Sequence, residues 1–397
     1  MHDPPYDALV IGGGPAGSTA AMLLARAGWS VGVLEQAVFP RHKVCGEFIS
    51  ATNMPLFREL GIAEEFNAEA GPEVRALGLF AGRTMLSTHA HRTGDAACQW
   101  GRALSRERLD TLLLDRAQKA GAAVWQPWKA IELWREHDSY ACLAKKIGTE
   151  ERRQFRSQII IAAHGSWEPG KLPTQMSHRP AKANELIGFK AHFRGTRLAA
   201  GLMPLLVFPG GYGGMVHTDR GLLSLSCCIR RDRLARIRRE HPDGTAAEAV
   251  LRHIKASCLG VEKVLASASI EGIWLSAGPI RPGIRNQPAP GIFLVGNAAG
   301  EAHPLIAEGL TIAMQSAWLL CQAILSGRDS LANEGFLRDA AGRYRRAWRR
   351  QFSTRIIASS IFAQLAIRPL VASLMLPIFR IAPELLTLGA LLAGKTG

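Results

Sequence analysis

The chain has 397 residues, of which 47% are hydrophobic and 20% charged, with a formal net charge of +15. That length exceeds the roughly 250–300 residues at which a single core stops growing, so two lobes are expected, and the hydrophobic share excludes a disordered chain. Seven cysteines, an odd set without a C-x-x-C pair, exclude a disulfide framework and a zinc knuckle; no metal site is expected, and the setting reads as reducing and cytoplasmic.

Residues Tyr6 to Glu35 form one predicted βαβ unit. An apolar strand, Asp7-Ala8-Leu9-Val10-Ile11, runs into Gly12-Gly13-Gly14-Pro15-Ala16-Gly17, then an Ala/Leu-rich helix to about Gly28, then Ser30-Val31-Gly32-Val33-Leu34 ending in Glu35. Each position has a physical reason. Gly12 allows the tight bend, Gly14 lets backbone approach a pyrophosphate, and Gly17 lets the helix press on the strand. Unpaired N–H groups at the helix start receive the negative charge. Glu35 can accept from ribose hydroxyls and would repel a free 2'-phosphate. A dinucleotide site follows from the strand, the turn, the helix and the acid together.

Next comes Phe39-Pro40-Arg41-His42-Lys43-Val44-Cys45-Gly46-Glu47-Phe48-Ile49-Ser50, basic, turn-rich and too polar for core. Residues 75–90 read as strands. Leu104 to Asp110 opens an amphipathic helix with apolar Leu109, Leu112, Leu113 and Ala117, ending at Gly121, and a strand follows around Ala122 to Trp125. Ile159 to Ala163, meeting His164-Gly165, reads as a buried parallel strand. From Leu186 to Ile273 the pattern is mostly strand-like, broken by Phe208 to Gly214 and a basic helix around Arg230 to Glu240. The sheet resumes at Gly291 to Gly296, and a long helix is predicted from Gly309 to Leu325. Arg343 to Arg350 holds five arginines in eight positions of another helix. No nucleic-acid module accompanies them, so nucleic-acid binding is not expected. Beyond Ile356 the apolar runs are too short to span a bilayer, being interrupted by Arg368, Pro369, Pro377, Arg380, Pro383 and Glu384. This basic, apolar end can cap the core or rest on a membrane surface.

Together the segments Gly12 to Glu35, Arg41 to Ser50, Arg106 to Asp110, Ala162 to Ser166 and Gly291 to Leu319 resemble the FAD-dependent oxidoreductases of the para-hydroxybenzoate hydroxylase fold, in the branch of geranylgeranyl reductases and flavin-dependent halogenases. The resemblance implies an α/β chain. Its discontinuous Rossmann-like FAD-binding domain would take 1–75, 97–175 and 274–330, a mainly antiparallel β-sheet substrate domain 76–96 and 176–273, and a C-terminal helical segment 331–397. It further implies that Gly12, Gly14, Pro15, Ala16, Gly17 and Glu35 hold the ADP half of FAD, with Arg41, Cys45 and Arg106 against the cofactor. The family's glycine-aspartate motif falls at Gly296-Asn297, where a neutral amide replaces the acid that binds the ribityl chain. His164-Gly165 similarly replaces aspartate-glycine, and His164 reads as a satisfied structural histidine. His303 to Gly309 resembles the loop beneath the isoalloxazine, so Pro304, Gly309 and Leu310 are expected at the flavin, with the helix dipole aimed at its reduced anion.

Reduced flavin can give a hydride to an electron-poor alkene or react with oxygen to hydroxylate an activated ring, and both need a donor such as NADPH or NADH. No second G-x-G-x-x-G appears, which fits a nicotinamide that binds transiently. Lys43-Val44-Cys45-Gly46-Glu47 resembles the cysteine loop of the geranylgeranyl reductases, whereas their tyrosine-glycine-tryptophan segment is only partly kept at Gly211 to Val216. The tryptophan-x-tryptophan-x-x-proline motif of halogenases is absent. The leading expectation is therefore a monooxygenase of a hydrophobic aromatic or polyketide-like molecule, with Cys45, His303 and Tyr212 as candidate catalytic groups. Reduction of a prenyl or other lipid, and flavin binding without turnover, stand as alternatives.

Overall fold

The computed structural model describes residues 5–90, 92, 98–165, 170–176, 180–286, 288–366, 377 and 381. The expected βαβ unit forms as β1 (Tyr6–Ile11), α1 (Pro15–Arg26) and β2 (Val31–Leu34). In chain order follow β3 (Ala76–Ala81), β4 (Thr84–His89), α2 (Arg106–Lys119), β5 (Ala123–Trp125), β6 (Trp128–Glu136), β7 (Ser139–Lys146) and β8 (Arg152–Ala162). Then come β9 (Leu186–Arg194), β10 (Leu202–Phe208), β11 (Gly211–His217), β12 (Leu223–Arg230), α3 (Arg231–Glu240), α4 (Ala246–Ser257) and α5 (Leu259–Val264). The last large elements are β13 (Ser269–Ile280), β14 (Ile292–Leu294), α6 (Gly309–Ile324) and α7 (Glu334–Ala366).

Two seven-stranded sheets organise these elements. The first runs β5-β2-β1-β8-β7-β6, with β14 also on β8. Its nucleotide-binding half is parallel, because β1, β2, β5, β14 and the end of β8 all run the same way. Four strand ends, at Ile11, Leu34, Ala162 and Leu294, therefore open on one crevice, where α/β sheets bind ligands. The second sheet runs β13-β9-β12-β11-β10-β3-β4 and is antiparallel except for β10 beside β3.

Several sequence expectations need correction. β8 is eleven residues long, and its first half pairs antiparallel with β7, so a β-meander that no sequence expectation covers extends the first sheet. Phe208 to Gly214 is not a break: only Pro209 and Gly210 turn, and β11 runs through the centre of the second sheet. Its glycines serve close strand approach, since a Cβ on Gly213 would come within 2.6 Å of the Ser226 carbonyl oxygen. Two helices, α4 and α5, occupy sequence read as strand-like. The segment read as too polar for core has a buried end, Glu47 to Ser50. The limit placed at 274 falls inside β13, all of which lies in the second sheet. Ser166 and most of 367–397, Arg368, Pro369, Arg380, Pro383 and Glu384 included, lie outside the described residues.

α6 is long and apolar enough, together with the turn after it, to cross a membrane by composition, yet more than half of that stretch is buried inside the protein. It packs on α1 and α7 in one core with the first sheet. A separate core lies between the second sheet and α3, α4 and α5.

Candidate functional site

The glycine turn is built from two ends. Gly12 takes φ +107°, a conformation that disfavours any side chain, and a Cβ on Gly17 would meet the Gly12 carbonyl oxygen at 1.9 Å. The Gly13 N–H donates to Glu35 Oε2 at 2.8 Å and the Ala37 N–H to Glu35 Oε1 at 2.8 Å, so the acid ties the turn to the end of β2. Gly14 faces open space. A Cβ there would meet only the guanidinium tips of Arg41 at 3.4 Å and Arg106 at 3.9 Å.

Three cations gather at this point. Arg106 forms a two-bond fork with Asp110, both N···O distances 2.7 Å, and Arg41 reaches the same carboxylate at 3.3 Å. Burial, then the Arg41 and Arg106 guanidiniums, lower the Lys43 ammonium to about 8. Asp110 was not foreseen as a site residue, although its place four residues after Arg106 is the spacing of a helical ion pair. Cations crowded at the N-terminus of α1 suit a diphosphate, which would relieve their mutual repulsion.

All the expected site residues except Gly17 line one cavity of about 570 Å³. Gly12, Gly14, Pro15, Ala16, Glu35, Arg41 and Arg106 stand at one end, and Gly296, Asn297, Pro304, Gly309 and Leu310 are brought to it from the far part of the chain. Gly17 instead packs α1 on β1, the role its spacing suggested. Asn297 donates from Nδ2 to Glu301 Oε1 at 3.5 Å, and its carbonyl oxygen accepts from Arg285. Glu301 also lines the cavity, so a carboxylate lies four residues after the amide. His164 contacts the Gly165 carbonyl oxygen at 2.9 Å and Thr174 Oγ1 at 3.0 Å, the satisfied structural state expected of it.

The three candidate catalytic groups share this cavity. Tyr212 Oη lies 2.8 Å from His303 Nδ1, both residues buried. Burial, then the neighbouring Cys228 thiol, push the Tyr212 phenol well above its ordinary range, while burial lowers the His303 imidazole from 6.5 to about 4. At neutral pH the phenol is therefore protonated and the imidazole neutral. Cys45 is the one cysteine of the seven that is not fully buried, and its Sγ accepts from the Glu47 N–H at 3.4 Å.

One functional cluster escaped the sequence reading. Glu47, 1% exposed and at φ 64°, accepts from the Lys190 ammonium, lies 2.7 Å from His192 Nε2, and accepts from the Arg106 N–H at 3.0 Å. Burial alone would raise its carboxyl; Lys190, then the His192 hydrogen bond, overcome this and hold it at about 2 against an ordinary 4.5. Beside it, Asp219 accepts from the Ser105 N–H at 2.7 Å. Two buried acids thus cap the start of α2, one of them carried by the second sheet, and fix the direction of Arg106.

A parallel sheet opening on a glycine turn, joined to an antiparallel sheet across one cavity, defines a flavin-type nucleotide fold. The chain belongs to the FAD-binding domain family, whose pattern matches residues 5–350. It is similar to tryptophan 2-halogenase of Chondromyces crocatus, 28% identical over 87% of this chain and 65% of that protein. Digeranylgeranylglycerophospholipid reductase 2 of Methanopyrus kandleri is 26% identical over 91% of this chain and 87% of that one. Among solved structures, the myxobacterial chondrochloren halogenase CndH superposes with a TM-score of 0.74 at 22% identity, covering 88% of this chain and 80% of that one. The relatives fall in the halogenase and geranylgeranyl reductase branch that the motifs resembled. This chain spans about two thirds of the length of the first curated relatives it matches.

Gly14→Val is expected to abolish FAD retention, because the branched side chain fills the space between the α1 N-terminus and the two arginines. The absorbance of the purified variant near the flavin bands checks this, and a normally yellow variant contradicts it. Glu47 gives a second expectation. Its folded value lies below the unfolded one, so its pairing stabilises the fold above pH 4.5, and that contribution is lost as pH falls from there through about 2. Glu47→Gln, which leaves Lys190 buried without its charge partner, should cost about 3–5 kcal/mol at neutral pH. Denaturant midpoints taken across the acid range should show a shallower pH dependence in the variant than in the native protein; matching acid limbs would count against the pairing.

Proposed function

We propose that the protein is an FAD-dependent monooxygenase that takes NADPH or NADH as a transient reductant and hydroxylates a hydrophobic, aromatic or polyketide-like small molecule. The observation that carries this reading is the Tyr212–His303 pair, set in the same cavity as the glycine turn and beside an apolar wall of Leu79, Met203, Leu205, Val207, Met215 and Val216. Bound FAD would supply the electron transfer and the activation of oxygen. The α1 N-terminus with Arg41, Lys43 and Arg106 would hold its diphosphate, Gly296 and Asn297 its ribityl chain, and the start of α6 its ring edge.

The protein's own groups manage the proton. With the phenol protonated and the imidazole neutral, Tyr212 Oη and His303 Nδ1 share one hydrogen bond, and the phenol oxygen keeps a lone pair that can accept from a substrate hydroxyl. The apolar wall excludes water and orients a flat or extended substrate by burial alone. Seven free thiols fit work in a reducing compartment.

Reduction of a carbon–carbon double bond in a prenyl or other lipid is the second reading. Cys45 favours it, since a thiol at the cavity edge can deliver a proton to the carbon that hydride addition leaves negative. The similarity to a digeranylgeranylglycerophospholipid reductase over nearly the whole of both chains points the same way.

Mixing the yellow protein with NADH or NADPH in air and under nitrogen separates the readings. Substrate-stimulated oxygen uptake is the expected result; substrate turnover under nitrogen without oxygen uptake selects the reductase. Flavin that neither nucleotide bleaches under any condition removes NADH and NADPH as reductants and leaves flavin binding without turnover or another electron donor. Tyr212→Phe should keep its flavin and lose roughly 10²-fold in turnover. Because His303 titrates near 4, the rate should show no step from this group between pH 5 and 8. Full turnover in the phenylalanine variant would reduce Tyr212 to packing.

A further inference from the structure

The helix α7 has two faces with different tasks. Inward, Leu337, Ala340, Tyr344, Trp348, Phe352 and Ile356 are buried at three- and four-residue spacing. Tyr344 Oη–H donates to the Leu294 carbonyl oxygen at 2.8 Å, and the His303 N–H donates to Ser359 Oγ at 3.2 Å. Ala363 packs with Tyr212, so this face backs the cavity wall.

Outward, Arg345, Arg346, Arg349 and Arg350 are exposed, and among the described residues none of the four lies within ion-pair distance of a carboxylate. The same stripe continues, at further steps of three and four, to Ile357 and Ile361, each 57% exposed. Four uncompensated arginines followed by two solvent-facing isoleucines give an amphipathic order: charge first, then apolar surface. The sequence beyond, 367–397, carries a single acid, Glu384, among mostly apolar residues.

We propose that this face docks the protein on an anionic bilayer surface, with the four arginines on headgroup phosphates and Ile357 and Ile361 at the boundary of the acyl chains. Charge complementarity selects this occupant: an apolar partner would leave four guanidiniums unanswered, whereas a lipid surface answers both halves of the stripe. Docking through α7 sets the wall that carries Tyr212 and His303 next to the phase in which an apolar substrate dissolves. This last clause rests on the proposed substrate class; the docking does not.

The test is co-sedimentation of the FAD-loaded protein with vesicles of phosphatidylcholine alone and of phosphatidylcholine mixed with phosphatidylglycerol. The expected result is binding to the anionic vesicles that weakens as salt rises. Replacing all four arginines by glutamine should lower it by roughly 600-fold, at about five-fold per arginine, with flavin content unchanged as the check on folding. Ile357→Ser with Ile361→Ser should weaken binding while leaving its salt dependence. Equal affinity for both vesicle types, native-like binding by the four-arginine variant, or no binding at all because the stripe is covered by a second copy or by residues 367–397, would overturn the proposal. The readout needs no substrate, so its failure and the failure of the proposed reaction are told apart.

Discussion

A carboxylate removed from water must be answered by positive charge, and Glu47 is where this requirement binds the two halves of the molecule. Its partners Lys190 and His192 stand on β9 in the second sheet, while Glu47 itself ends the basic loop that follows β2. Breaking such a pair costs about 3–5 kcal/mol, a large part of the stability of an ordinary domain. The clamp holds the loop bearing Arg41, Lys43 and Cys45 over the glycine turn. Through the Arg106 N–H it also fixes the start of α2. Glu47 thereby positions the backbone at the start of α2, while Asp110 holds the Arg106 and Arg41 guanidiniums.

From that constraint the cavity acquires two ends of opposite character. The parallel sheet supplies glycines, helix N–H groups and arginines, which suit an anionic cofactor. The second sheet supplies Met203, Leu205, Val207 and Met215, which suit an apolar molecule, with Tyr212 and His303 as the polar groups between. Burial pushes that pair apart in acidity, leaving the phenol protonated and the imidazole neutral. One enclosure thus joins a charged cradle to a greasy wall, the division of labour expected when a cofactor performs the redox step and the protein controls access.

The sequence made some of this legible and hid the rest for physical reasons. Gly12, Gly14 and Gly17 were readable because their demands are local: a positive φ, an open Cβ position, a helix pressed on a strand. The start of α6 at Gly309 was readable from a proline-to-glycine loop and an apolar run. The meander β6 to β8 is hard to read from sequence because its strands alternate poorly and carry charge along their exposed edges. The helix α4 did announce itself, since Thr245 and Glu248 form a reciprocal cap, but the strand-like stretch around it masked the signal. Glu47 could not be found at all: its partners lie 143 and 145 residues away, and nothing local marks a buried acid in a basic loop.

The most direct test of the account is an experimental structure of the protein with FAD bound. The account predicts the diphosphate against Gly14, Arg41 and Arg106, and the isoalloxazine between the Pro304 to Gly309 loop and the Tyr212–His303 pair. A flavin ring lying outside this cavity, with Pro304 and Gly14 contacting different molecules or none, would contradict it.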